Sequence, residues 1–128
     1  MAGELERVAR EMFGALDRGD AEAIIRLGAE EMQEVDEISR RWLRGIDEVG
    51  DYMRQLMGMV TGVQSTLGDV HETVWGDTGV VSGWLEQDYT LDGVPQHVSA
   101  PTTLLFRREG DDWKIAVFHS VPLPPENS

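Results

Sequence analysis

At 128 residues the chain has room for one domain, 1–128, with a sizeable core, because a protein of this size buries roughly two-thirds of the surface its unfolded chain exposes. Its 24 acidic against 11 basic residues give a net charge of −13, a field that repels phosphate backbones and anionic lipid and so excludes nucleic acid and membrane as partners. There is no cysteine for disulfide or thiolate chemistry, no stretch of about 18 apolar residues to span a bilayer, and no basic or apolar leader pattern in MAGELERVAREMF, so a cytoplasmic location is expected.

From Glu4 to Arg18, Leu5, Val8, Ala9, Met12, Phe13 and Leu16 fall at the spacing of one helix face. Gly19 supplies the stop, and Asp20 caps a second short helix that runs to about Gly28 with Ile24, Ile25 and Leu27. Residues Glu31 to Ser39 alternate loosely, with Met32, Glu34 and Asp36 on one side, which predicts a short strand or an extended crossing. After a loop with Trp42 and Gly45, the run from Ile46 to Val60 puts Val49, Tyr52, Met53, Leu56 and Val60 on one stripe of a third helix. The period then changes. Val63–Trp75, Gly79–Leu91, Gln96–Arg108 and Trp113–Pro122 read as strands separated by the turn signals GDTG, LDGVP and EGDD. Helices first and a four-strand meander afterwards is an α+β pattern, with a curved antiparallel sheet wrapping its concave face over the helices. The proline-rich end, residues 122–128, is expected to fray.

Four ordered segments, FGALDRGDAEAI, WLRGIDEVGDYM, SAPTTLLFRREG and WKIAVFHSV, carry a resemblance that spans nearly the whole chain. The chain resembles the nuclear-transport-factor-2-like superfamily and, within it, the SnoaL-like and ketosteroid-isomerase-like branch. The resemblance implies a cone-shaped fold around one pocket for a small, largely apolar or polycyclic molecule. It also implies a general base at Asp36, just after the second helix. The branch's oxyanion hole takes a tyrosine in the first helix and a protonated acid in the strand after the Ala-Pro pair. Met12 and Thr103 stand at those places. A thioether cannot donate a hydrogen bond and a threonine hydroxyl is only a neutral donor, so the isomerase chemistry does not carry across intact.

Asp36 is the first candidate for proton transfer, a carboxylate at a pocket floor, against the plain alternative of a solvated strand-end aspartate. In WKIAVFHS, strict alternation puts Trp113, Ile115, Val117 and His119 on one face and Lys114, Ala116, Phe118 and Ser120 on the other. The uncharged face is expected to be concave, which aims His119 into the pocket as an acid, a donor to a ligand oxygen or a satisfied core imidazole. The resemblance makes Tyr52 and Tyr89 aromatic pocket positions and Trp42 a lid at the mouth, while Trp75 and Trp84 read as sheet packing. With Met12 and Thr103 these complete the expected ligand-binding set. No metal is expected from three histidines in three strands, and no nucleotide cofactor without a glycine-rich phosphate loop. The cluster Arg40, Arg41 and Arg44 reads as a pocket rim or a structural element.

Two functions follow. One is a cofactor-independent isomerase, cyclase or dehydratase working by proton transfer next to a carbonyl, with Asp36 as base and His119, helped by Thr103 or a tyrosine, steadying the enolate. The other is a non-catalytic ligand-binding or dimerisation module of the same fold. Val98, Ala100, Leu104 and Phe106, placed opposite Thr103, predict an apolar outer face and hence a homodimer.

Overall fold

The apolar stripe read from the sequence buries Leu5, Ala9, Met12 and Phe13 along α1 (Glu4–Arg18), as seen in a computed structural model that describes residues 3–124. Gly19, at a φ of 70°, closes the helix in the left-handed conformation that glycine adopts without a Cβ penalty. At the other end the side chain of Glu72 accepts from the Glu6 backbone N–H at 2.7 Å, so a carboxylate from the sheet satisfies one of the free amides of the first turn. Asp20 caps α2 (Ala21–Leu27), accepting from the Ala23 amide at 3.1 Å.

The chain continues as β1 (Gly28–Asp36), β2 (Leu43–Arg44), α3 (Ile46–Met57), β3 (Val60–Trp75), β4 (Thr78–Leu91), β5 (Val94–Glu109) and β6 (Asp112–Ser120). The six strands form one curved sheet in the order β2-β1-β6-β5-β4-β3. Every pairing is antiparallel except β1 with β6, which run parallel. The meander of the four long strands agrees with the alternation in the sequence. The strand near residues 31–39 begins earlier and becomes the partner of the last strand. Residues 122–124 of the expected tail carry no regular structure, and 125–128 lie outside the described residues. Among the described residues no helix is long and apolar enough to cross a membrane.

The helices cover the concave face, and the interior differs along its length. At one end Leu5, Val81, Leu104, Phe106 and Ile115 are fully buried. Packing is so close there that a Cβ on Gly79 would collide with Leu5. The Trp113 indole N–H donates to Glu4 at 2.8 Å and ties the last strand to the first helix.

The ladders carry four register shifts, and they set which way side chains point. Leu105 pairs with Val117 but Phe106 pairs with Ile115, so Ala116 is an extra residue in β6 and forms a β-bulge. A second bulge follows Gly68 in β3, where Asp69 takes a φ of 50°.

Candidate functional site

β1 points alternate residues inward, so Met32 and Glu34 are both buried and Asp36 follows at the strand's open end. The parallel register sets Glu34 beside Phe118, Val35 beside His119 and Asp36 beside Ser120. Asp36 is tightly held. Its Oδ1 accepts from Tyr52 Oη at 2.8 Å and from the backbone amides of Ile38 at 2.9 Å and Ser39 at 2.7 Å. Its Oδ2 accepts from Tyr52 at the longer distance of 3.1 Å, and the carboxylate also pairs with the neutral Glu34. One oxygen is therefore saturated, while the other keeps capacity to accept.

Asp36 borders a cavity of about 50 Å³, walled by Leu16, Met53, Leu85 and Phe118 and edged by Glu37, Tyr89 and Ser120. Phe118 packs edge-on against Phe13 at 6.0 Å between ring centroids. The phenol protons here are committed: Tyr52 donates to Asp36, and Tyr89 donates to Glu37 at 3.0 Å. Thr102 Oγ1 lies 3.1 Å from the Ala100 carbonyl and 2.8 Å from Ser120 Oγ, and either hydroxyl can be the donor in the second contact.

Asp36, Glu37 and, in the wall behind them, Glu34 bring three carboxyl groups together. Burial, and then the neighbouring Asp36, push Glu34 up to about 10, so it is neutral at ordinary pH. No donor from the described residues reaches either Glu34 oxygen, although the side chain is fully buried, and the proton that Glu34 keeps is shared with the Asp36 carboxylate. Burial also raises Glu37, against the lowering effect of the Tyr89 hydrogen bond. Both phenols are held well above their ordinary range, by burial first and then by the charges of Asp36 at Tyr52 and Glu37 at Tyr89, which keeps them protonated donors.

On its other side the Asp36 turn opens to a cleft of about 400 Å³ bordered by Val35, Asp36, Glu37, Arg40, Val121 and Pro122. Asp36 and Glu37 are thus reached both from the inner cavity and from outside.

Of the residues expected at the site, Asp36, Tyr52 and Tyr89 come together. His119 does not. The bulge at Ala116 reverses the phase of β6, so Phe118 and Ser120 face inward while His119 is exposed on the outer face. Its ring lies 6.0 Å from that of Trp42, which is 40 % exposed and stands on the same outer side. The expected lid is therefore a surface contact. Thr103, paired with His119, is exposed as well, and the inward hydroxyl is that of Thr102. Met12 is buried in the core and does not border the cavity. The same phase error inverts the apolar set on β5. Ala100, Leu104 and Phe106 are fully buried and Val98 packs against the core, so the exposed patch that argued for a dimer does not exist. Trp75 and Trp84, expected to pack on the sheet, are 60 % and 40 % exposed.

The sequence reading passed over Glu34, Thr102 and Ser120 as site residues. Glu34 had a signal, since it alternates in step with Met32 and Asp36. For Ser120 and Thr102 there was none, because a bulge leaves no mark in the hydrophobic pattern.

A family model described as a SnoaL-like domain matches residues 5–124. Among solved structures, a protein of the NTF2-like family from Streptomyces avermitilis, provisionally named a dehydratase, is 25% identical. It superposes with a TM-score of 0.87 over 95% of this chain and 95% of its own. A ketosteroid isomerase-like protein from Erwinia carotovora atroseptica is 19% identical, with a TM-score of 0.79 over 94% of each chain. A protein from Novosphingobium aromaticivorans, provisionally named an aromatic ring hydroxylase, is 15% identical, with a TM-score of 0.86 over 94% of this chain and 87% of that one. The last two likenesses show the fold alone. No curated protein matches the chain.

Proposed function

The chain belongs to the SnoaL-like domain family, and on that premise we propose that it is a cofactor-independent enzyme that moves a proton at a carbon next to a carbonyl group, with Asp36 as the base. The observation that carries this reading is the asymmetry of the Asp36 carboxylate. Three donors fix Oδ1, while Oδ2 keeps one longer contact and can accept a proton. In the step, Oδ2 takes the proton from carbon and the C–H electron pair moves into the carbonyl, giving an enolate. Return of the proton to another carbon completes an isomerisation; alternatively the enolate pair re-forms the carbonyl and expels a hydroxyl from the neighbouring carbon, which leaves as water with the proton that Asp36 took, completing a dehydration. Glu34, held neutral beside Asp36, adds no second negative charge to repel the enolate.

The rival reading, a ligand-binding module without turnover, is favoured by one fact: both phenol protons near Asp36 are engaged within the protein, on Asp36 and Glu37, and are not free to steady an enolate.

Deuterium incorporation from heavy water separates the two. The purified protein is incubated with a panel of small neutral and anionic carbonyl compounds, and label next to the carbonyl is read by NMR. Proton transfer predicts incorporation above buffer for at least one compound and a loss of about a hundredfold or more in Asp36→Asn. Native mass spectrometry that finds a bound molecule in a protein that exchanges nothing would establish the binding module.

A further inference from the structure

Arg40, Arg41 and Arg44 are the one basic cluster in a chain of net charge −13. The fold engages two of them. Arg41 pairs with Glu48 at 3.3 Å. Arg44 donates to Gln33 at 3.3 Å and lies 5.9 Å above the Trp42 ring. Arg40 has neither an ion pair nor a side-chain hydrogen bond among the described residues. It is exposed and borders the 400 Å³ cleft that Asp36 also borders.

Its backbone is unusual too. Arg40 has a φ of 53°, and the other two non-glycine residues with positive φ are Asp69 and Asp92. Aspartate tolerates the left-handed region; a long side chain like arginine is rarely placed there. The conformation is enforced by the turn that carries Asp36. The Arg40 amide donates to the Asp36 carbonyl at 3.0 Å, and the Asp36 carboxylate accepts from the Ile38 and Ser39 amides inside that turn. The backbone that carries an uncommitted guanidinium and the Asp36 carboxylate thus belongs to one five-residue element. Backbone strain kept at such a place calls for a functional explanation.

The two cavities decide where a ligand sits. The inner one has room for a few water-sized molecules, whereas the cleft lies within the usual range for small-molecule sites and has apolar walls in Val35, Val121 and Pro122. The phenols around Asp36 have their protons engaged, but Arg40 has five N–H donors in a planar fork that matches a carboxylate or a pair of adjacent oxygens.

We propose that Arg40 is the anion-binding residue of the cleft, and that the substrate of the Asp36 site is a small oxo acid seated with its carboxylate on Arg40 and its acidic C–H against Asp36. This rests on the reading of Asp36 as the base. Asp36 takes the proton, the electron pair passes to the oxo oxygen, and the alkyl remainder lies on the valines and the proline. The surrounding acidic field opposes long-range attraction of an anion, so recognition is local, through the guanidinium fork rather than through steering.

The probes are 2-oxobutanoate and its neutral methyl ester, used with the full chain. Binding is followed by NMR of the arginine side-chain N–H signals, and deuteration of the probe's C3 in heavy water is measured alongside. The acid should bind about tenfold or more tightly than the ester, shifting the Arg40 signal. Arg40→Gln and Arg40→Gly should both remove that preference while leaving affinity for the ester unchanged, the glycine variant also relieving the backbone. Equal affinity for acid and ester, a preference that survives both substitutions, or no binding of the acid at millimolar concentration overturns the proposal. A preference for the acid without C3 deuteration keeps Arg40 as the anion site and defeats Asp36 as the base. Deuteration without such a preference does the reverse.

Discussion

The two ends of the interior obey different rules. Around Phe106, Leu104, Val81 and Leu5 every side chain is apolar and fully buried, and a glycine is needed for helix and sheet to approach. Around Asp36 the same sheet and helices enclose three carboxyl groups, two phenols and a pair of hydroxyls, and the space between them is left partly unfilled. The difference teaches a division of labour. Close packing at one end supplies the stability that lets the other hold a buried acid whose oxygens meet no donor, an arrangement that costs stability wherever it occurs.

The largest expected effect breaks the packed end. Phe106→Ala leaves a cavity that its neighbours cannot close and should cost about 3–5 kcal/mol in urea unfolding. A loss under about 1 kcal/mol would mean that this end is not the stabilising one.

A smaller effect sharpens the contrast at the polar end. Glu34 has its folded pKa raised from 4.5 to about 10, so the folded chain keeps a proton that the unfolded chain has lost. That contribution is complete below the unfolded value and is lost as pH rises through the folded one, so stability should fall from mildly acidic to alkaline pH. Glu34→Gln keeps a neutral side chain of the same shape. The difference in unfolding free energy between about pH 6 and about pH 9 should shrink by about 1–3 kcal/mol in the variant. An identical pH slope in both proteins would show that Glu34 is not the titrating group.

The smallest effect lies outside both ends. His119→Phe alters an exposed ring beside Trp42 and should change stability by no more than about 0.5 kcal/mol. It should also leave deuterium exchange by the Asp36 site as it is in the parent. A fall in exchange with folding intact would return His119 to the site.

These contrasts follow what could be read from the residues. The helix stripes of α1 and α3 and the order of the meander were legible, because each buries one face and so repeats at a fixed period. The inward alternation of Met32, Glu34 and Asp36 was legible for the same reason. The parallel pairing of β1 with β6 was not, since it depends on contacts between segments most of the chain apart. Nor was the phase of β6. One extra residue at Ala116 exchanges the inward and outward sets, and His119 and Thr103, which face each other across β5 and β6, were misplaced together. β2, only two residues long, is too short to have a period.

The parallel pairing of β1 and β6 has a kinetic meaning. β1 precedes every other strand in the chain, yet the strand that completes it, β6, follows all of them. Its indole bond to Glu4 spans 109 positions. Closing loops of that length is slow, and the entropy is lost before the contacts that compensate for it can form. Until β6 inserts, β1 has only the two-residue β2 beside it, and Asp36 and Ser120 are strangers. The floor of the site therefore exists only where β1 and β6 have paired, and a chain without that pairing has no complete Asp36 site with which to act.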